Sequence, residues 1–467
     1  MSNKAVLAAI AGTAFLLSGC AALEPKPAPA PAVRINEDPY PSTYARYPGV
    51  LTVVRHATVF TGDGQRIDNG TVIFGDGVIK AVGGPELASP AGAVEIDGTG
   101  KFVSPGIIDI HSHLGDYPSP GVQANSDGNE LTDPVHPDVW AEHSVWPQDP
   151  GFSRALVNGG VTTLQILPGS GNLFGGRSVV LKNVPGRTVQ EMKFPGAPYG
   201  LKMACGENPK RVYGSKGKMP QTRMGNIALA RETWMEAVAY KKKWDDYYAH
   251  GGKMPDRDAS MDTLKGVLEG KILIQNHCYR ADEMANMIDM SREFGYHIAA
   301  FHHAVEAYKI ADLLRENGIC AVMWADWYGF KMEAYDAIPE NIALVQNAGA
   351  CAMVHSDDPN GIQRLNQEAA KAMGAGIRAG IPNLSEAVAW QWLTANPARA
   401  LGIFDRTGSL TPGKMADLVL WNGDPFSSYS RPERVWIDGA EMYDANDPHK
   451  RPVSDFELGQ PGEGDVK

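Results

Sequence analysis

Between residues 104 and 402 the chain alternates apolar runs of strand length with helical patterns, and this alternation restricts the fold more than any other feature. The strand candidates are GIIDIHSH (106–113), GVTTLQIL (160–167), SVVLKN (178–183), GLKMACG (200–206), KILIQNHC (271–278), HIAAFHH (297–303), CAVMWAD (320–326) and CAMVHSD (351–357). Helical stretches such as DEMANMIDMSREFG and EAYKIADLLRENG lie between most of them. Strands separated by helices build βαβ units and a parallel sheet. Eight such units over about 300 residues match an α/β fold of the (β/α)8 TIM-barrel type. An open doubly wound sheet is the alternative, but no GxGxxG follows a strand, so that reading lacks its main support.

The two flanks of this region share a different texture. Residues 50–103 and 403–467 both carry short strand signals separated by Asp-Gly and Gly-Asp pairs, the mark of tight hairpins. We therefore expect a small β-sandwich built from both chain ends, with the barrel (104–402) inserted between them. Residues 208–262 form an insertion after the fourth strand. Its helical pattern, IALARETWMEAVAYKKKWDDYYAHGG, carries aromatics that read as packing.

The first twenty residues have the layout of an export signal: Lys4, an apolar stretch from Ala5 to Leu17, then LSGC ending at Cys20. The apolar stretch is shorter than the about 20 residues a spanning helix needs. LSGC resembles a bacterial lipobox, which implies lipidation of Cys20 and a place on the periplasmic side of the membrane. An ordinary cleaved signal is the alternative. Residues 21–49 open with AAL and then EPKPAPAPAV (24–33) and are expected to form a semi-rigid tether. The other cysteines, Cys205, Cys278, Cys320 and Cys351, each sit beside or within an apolar run and are expected as isolated buried thiols. The net charge of −11, with no basic cluster, argues against nucleic acid as a partner.

His111 and His113 stand two residues apart at the end of an apolar strand, so they project to the same side. In a parallel barrel that end is the catalytic face. Paired neutral imidazoles make half a site for Zn²⁺ or a similar divalent ion. Three further strand candidates end in a possible ligand: His277, His302 or His303, and Asp357. Barrel closure brings such strand ends to one rim.

At these residues the chain resembles the amidohydrolase superfamily. VSPGIIDIHSH is similar to its first-strand signature and GSLTPGKMADLVLW to its C-terminal return. GENPKRVYG, NHCYRADEM, HHAVEAYKIAD and HSDDP resemble a branch near imidazolonepropionase and related metal-dependent peptidases. The resemblance implies that His111, His113 and Asp357 share one metal ion, with His277 and His303 as ligands from the fifth and sixth strands. His303 is chosen over His302 because the family histidine lies three residues before a Glu, here Glu306; His302 then packs below or orients its neighbour. For the fourth strand the family uses a lysine carbamate or a glutamate. Glu207, nearer the rim, is favoured, and Lys202, which alternation turns inward, is the alternative as a carbamylated bridge.

Lys210, Arg211 and Tyr213, and then Trp327, Tyr328 and Lys331, are candidate substrate contacts. Asn172, Arg177, His136 and His143 are further loop candidates. The implied function is a metal-dependent hydrolase of C–N bonds in peptide-like or cyclic amides, using one or two divalent ions. Metal-activated hydroxide attacks, and Asp357 serves as general base and then acid. No GxSxG nucleophile elbow is present. Hydrolysis of esters, lactones or phosphotriesters on the same site is a second reading, and an inactive binding or scaffold protein a third. The expected partner is a small-molecule substrate, with the membrane reached only through the N-terminal anchor. Self-association into a homo-oligomer is compatible with the sequence.

Overall fold

A computed structural model describes residues 33–450. The expected export signal with Cys20 and the start of the expected tether lie outside the described residues, as does the chain beyond Lys450. Among the described residues no helix is long and apolar enough to cross a membrane.

Five strands come first: β1 (Thr52–Phe60), β2 (Arg66–Gly75), β3 (Val78–Gly83), β4 (Val94–Asp97) and β5 (Phe102–Pro105). The central region supplies β6 (Ile107–Ser112), β7 (Val161–Ile166), β8 (Phe174–Lys182), β9 (Gly200–Ala204), β10 (Leu273–His277), β11 (Ile298–His302), β12 (Cys320–Met323) and β13 (Ala352–Val354). Three more follow: β14 (Leu418–Trp421), β15 (Pro432–Ile437) and β16 (Ala440–Asp444).

Strands β6 to β13 pair in sequence order as one eight-stranded, nearly closed barrel sheet. All eight strand candidates of the central region fall on it. One departs from the expected parallel arrangement: β8 runs antiparallel to both β7 and β9. Its physical reason is the connection, since the few residues between Ile166 and Phe174 cannot hold the crossover a parallel neighbour requires. Between β13 and β6 the seam is bridged by single contacts. The Asp357 amide donates to the His111 carbonyl at 3.0 Å, and the buried Asp109 carboxylate accepts from the His111 and Ser356 amides at 3.2 and 3.3 Å.

The flanking strands form one continuous mixed sheet in the order β16-β15-β14-β5-β1-β2-β3, with β4 beside β1. Both chain ends contribute, as expected, but to a single sheet where a sandwich of two was anticipated. Its join is the antiparallel pair of β5 and β14. The helix Arg223–His250 begins four residues before the expected pattern. It buries Trp234 against Phe174 and Tyr296, at ring separations of 5.6 and 4.3 Å, which is the packing role expected of its aromatics.

Two expectations are corrected. Residues 33–49 are docked along the barrel where a free-standing tether was anticipated. Ile35 packs with Tyr240 and Trp244, Lys193 pairs with Asp38 at 2.8 Å, and Tyr44 donates to Asp438 at 2.6 Å. The four cysteines are two disulfides, Cys205–Cys278 and Cys320–Cys351. Register explains both. Ala204 pairs with His277, so the next residues, Cys205 and Cys278, lie side by side. Ala321 pairs with Ala352, so the preceding pair does too. Their Cα atoms stand 5.2 and 4.5 Å apart, the span a disulfide bridges.

The cross-links span 73 and 31 residues, and closing such loops removes unfolded-state entropy equivalent to about 4 kcal/mol each. Replacing Cys320 and Cys351 together by Ser should therefore lower unfolding free energy by about 3–4 kcal/mol. Denaturant titration of the oxidised chain and the double variant measures it; equal midpoints would show that the bond contributes nothing.

Candidate metal centre

Six imidazoles converge at the carboxyl ends of the barrel strands. His111 and His113 come from β6 and the residue after it, His277 and His302 from the last positions of β10 and β11, and His303 and His355 from just beyond β11 and β13. The His111 ring centroid lies 5.0 Å from His113, 4.8 Å from His302, 4.5 Å from His303 and 5.2 Å from His355. His277 joins through His303 at 4.7 Å. Alternation sends successive strand residues to opposite faces, yet both His302 and His303 reach His111. The left-handed backbone of His303, with φ of 59°, allows it. Asp357 also holds a positive φ, of 57°. Such conformations cost energy in non-glycine residues and persist where the surroundings enforce them.

Hydrogen bonding sets the tautomers. The Gln275 amide nitrogen donates to the Ala400 carbonyl at 3.4 Å, which leaves its Oε1 to accept from His302 Nε2 at 2.8 Å. His302 Nδ1 is then the acceptor for His111 Nδ1 at 2.8 Å. His113 Nδ1 donates to the Leu167 carbonyl at 2.7 Å. In their neutral forms both first-strand rings therefore present bare Nε2 lone pairs, 3.3 Å apart. Asp357 Oδ1 lies 3.1 Å from His113 Nε2 and 3.4 Å from His111 Nε2. Three acceptors facing one another without a proton between them repel unless a cation sits among them. The donor set of two imidazoles and a carboxylate suits Zn²⁺ or a related divalent ion, so the residues present fit a metal.

Burial reinforces this. His111, His277, His302 and His303 are fully buried, and desolvation, aided by neighbouring positive groups, pushes their pKa values well below the ordinary imidazole value. Burial pushes His355 down to about 3. These rings are neutral at pH 7, the form that ligates. For Asp357, burial alone would raise the pKa, but its neighbours, His113 first among them and then His355 and Lys202, hold it below the usual range.

On the fourth strand the structure favours Lys202 over Glu207. Leu201 and Met203 pack into the main core, while Lys202 Nζ points inward, 3.4 Å from His111 Nε2 and 2.9 Å from the Pro168 carbonyl. Its burial lowers the ammonium pKa to about 7. Glu207 is carried off by the turn at Gly206, with φ of 79°, and opens the helix Glu207–Gly214. Its carboxylate faces Lys331 at 3.7 Å and is absent from the converging groups.

Lys331 is the best placed of the substrate candidates. Its Nζ lies 3.9 Å from the Tyr279 ring centroid and donates to Asn208 Oδ1 at 3.0 Å, and Asn208 reaches His277 Nε2 at 3.4 Å. Trp327 stacks on Trp324 at 5.0 Å, and Trp324 stacks on His303 at 4.6 Å. Tyr328 and Arg211 are exposed and Lys210 half-buried. Tyr213 is corrected: it is buried and donates to the Asp133 carbonyl at 2.7 Å. Arg177 and Asn172 are likewise buried structural groups, Arg177 lying within β8 over Trp140 at 4.0 Å. His136 contacts Asp138 at 3.4 Å and His143 stacks on Trp140 at 5.5 Å, so neither joins the centre. Sequence reasoning missed His355, although its spacing of two from Asp357 was the same signal as His111 and His113. It also missed Tyr279, Trp324 and Asp109.

The amidohydrolase family model matches residues 102–445. A curated relative, amidohydrolase tasK of Hapsidospora irregularis, is 31% identical over 87% of this chain, which spans only 45% of that protein. An imidazolonepropionase of Mesorhizobium japonicum is 26% identical, with 76% of this chain and 87% of that one aligned. Among solved structures, an amidohydrolase from Thermotoga maritima superposes with a TM-score of 0.77 at 38% identity, covering 84% of this chain and all of that one. Strand order, the converging imidazoles and the matched family model agree: this chain belongs to the amidohydrolase family.

Proposed function

We propose that the chain is a metal-dependent hydrolase of C–N bonds in small peptide-like or cyclic amides. The observation that carries this reading is the convergence of His111 Nε2, His113 Nε2 and Asp357 Oδ1 within 3.4 Å of one another. We assign His111, His113 and Asp357 to one ion, with His277, His303 and Lys202 on the side of a second. An ammonium at Lys202 would oppose a cation; its carbamate would be an anionic ligand in its place. Lys202 loses its proton near neutral pH, which makes the reactive amine available. When bound, a divalent ion supplies Lewis acidity and acidifies water at neutral pH.

The chain's own groups do the rest. Asp357, anionic at neutral pH, takes a proton from the attacking water and returns it to the leaving nitrogen. Lys331 and Arg211 offer cations to a substrate carboxylate. The Tyr279, Trp324 and Trp327 rings form an apolar wall beside His303. Two disulfides support export into an oxidising compartment, in keeping with the lipobox-like Cys20.

His111→Ala and Asp357→Asn should each reduce hydrolysis of a panel of dipeptides and N-acyl amino acids by about 10³-fold or more. Circular dichroism should remain native while bound zinc falls. Wild-type turnover in either variant would sink the assignment.

His302→Phe removes the acceptor for His111 Nδ1 and frees that ring to turn. Zinc affinity, read by competition with a chromophoric chelator, should fall about 10–100-fold.

The buried imidazoles also predict a pH signature. Each stays neutral when folded but gains a proton on unfolding below about pH 6.5. The unfolded state thus binds more protons, so stability declines as pH falls through that value, by up to about 1.4 kcal/mol per pH unit per ring. Denaturant titrations of chelator-treated protein from pH 8 to 5 should show the decline; a flat profile would contradict it.

A further inference from the structure

His355 has no place in the ligand set above, yet its surroundings are those of a ligand. Its ring is fully buried, and among the described residues neither ring nitrogen has a hydrogen-bond partner. His303 Nδ1 also lacks one. Leaving a buried polar group unpaired costs about 1–3 kcal/mol, so an imidazole with both nitrogens orphaned requires a reason. The ring is packed between His303 at 4.7 Å and Trp324 at 4.6 Å, and Trp324 offers it only an aromatic wall. One ligand atom each from His111, His303 and His355 lies within 4.8 Å of the other two. A cavity of about 50 Å³ behind the ring, reaching Ser356 and Glu368, has room for water, which is the competing explanation for the orphaned nitrogens.

We infer that His355 is an additional imidazole ligand of this centre, holding a divalent ion together with His303 on the β13 side of His111. The inference rests on the metallohydrolase reading and extends its ligand set. A position walled by neutral nitrogen donors favours Zn²⁺, Co²⁺ or Ni²⁺ over the oxygen-seeking Mg²⁺ and Ca²⁺. It also places the extra ligand two residues from Asp357, so one strand end supplies both a nitrogen and an oxygen donor.

The test is titration of the chelator-stripped full chain with Zn²⁺ and Co²⁺, alongside His355→Phe, which keeps an aromatic ring against Trp324, and His355→Gln. Wild type should bind Co²⁺ with a visible ligand-field spectrum. Both variants should lose affinity for at least one equivalent by no less than the about 10–100-fold typical of losing an outer-shell partner, with an altered Co²⁺ spectrum. Wild-type affinity and spectrum in a folded variant would overturn the inference and leave the metallohydrolase reading standing. No divalent binding by wild type would overturn both. Should neither variant fold, zinc-edge X-ray absorption of the wild type decides: an imidazole count that the other histidines fully account for rejects His355.

Discussion

The candidate centre depends on how the barrel meets itself. The ends of the first and last strands and the residues just beyond them carry His111, His113 and Asp357, and no hydrogen-bonded ladder joins these two strands. A backbone bond from Asp357 to His111 and the buried carboxylate of Asp109 hold the seam instead. Asp109 accepts from both strands, and burial raises its pKa to about 7, the cost of placing a carboxylate where only amides and a hydroxyl can stabilise it. Because the bridging residues are the site residues or their neighbours, closing the barrel and assembling the site are one event. A slip of one residue at this seam would separate Asp357 from the two imidazoles while leaving the other pairings intact.

A second constraint is protonic. Imidazoles packed at ring separations of 4.5 to 5.2 Å around His111 cannot all be charged, and burial keeps His111, His302, His303 and His355 neutral. Neutrality alone leaves the tautomer open. The path from Ala400 through Gln275 and His302 to His111 removes that freedom, because each step has a fixed donor. The Leu167 carbonyl does the same for His113. Lone pairs thus face the centre before any ion arrives, and less reorganisation is needed to bind one.

The barrel was legible in the sequence because its strands are buried on both sides and read as continuous apolar runs. The reversal of β8 was legible in principle: the gap after GVTTLQIL has no helical pattern. A single repeating unit laid over every run conceals it. The disulfides are concealed for a related reason. Each cysteine belongs to one run, whereas the bonds follow from the register of adjacent strands, which a single run does not contain. Strand alternation placed Lys202 inward. It had no force beyond Gly206, where a left-handed turn sends Glu207 towards Lys331. His303 is the opposite case: its assignment came from likeness to a family pattern, and the backbone at φ of 59° is what reconciles it with alternation.

Three devices keep ligand-bearing strand ends in place, and they differ in what they resist. The Cys205–Cys278 bond joins the residues next to Ala204 and His277, so it opposes separation of β9 from β10 even during local opening. The strained turns at His303 and Asp357 are held only by packing and hydrogen bonds, and relax if those loosen. The Asp109 bridge responds to protonation, since its acceptor strength lies in the charge. Cross-linking, packing and charge fail under different conditions, namely reduction, heat and acid. A centre secured by all three is suited to work outside a reducing, buffered compartment, which agrees with the export proposed for this chain.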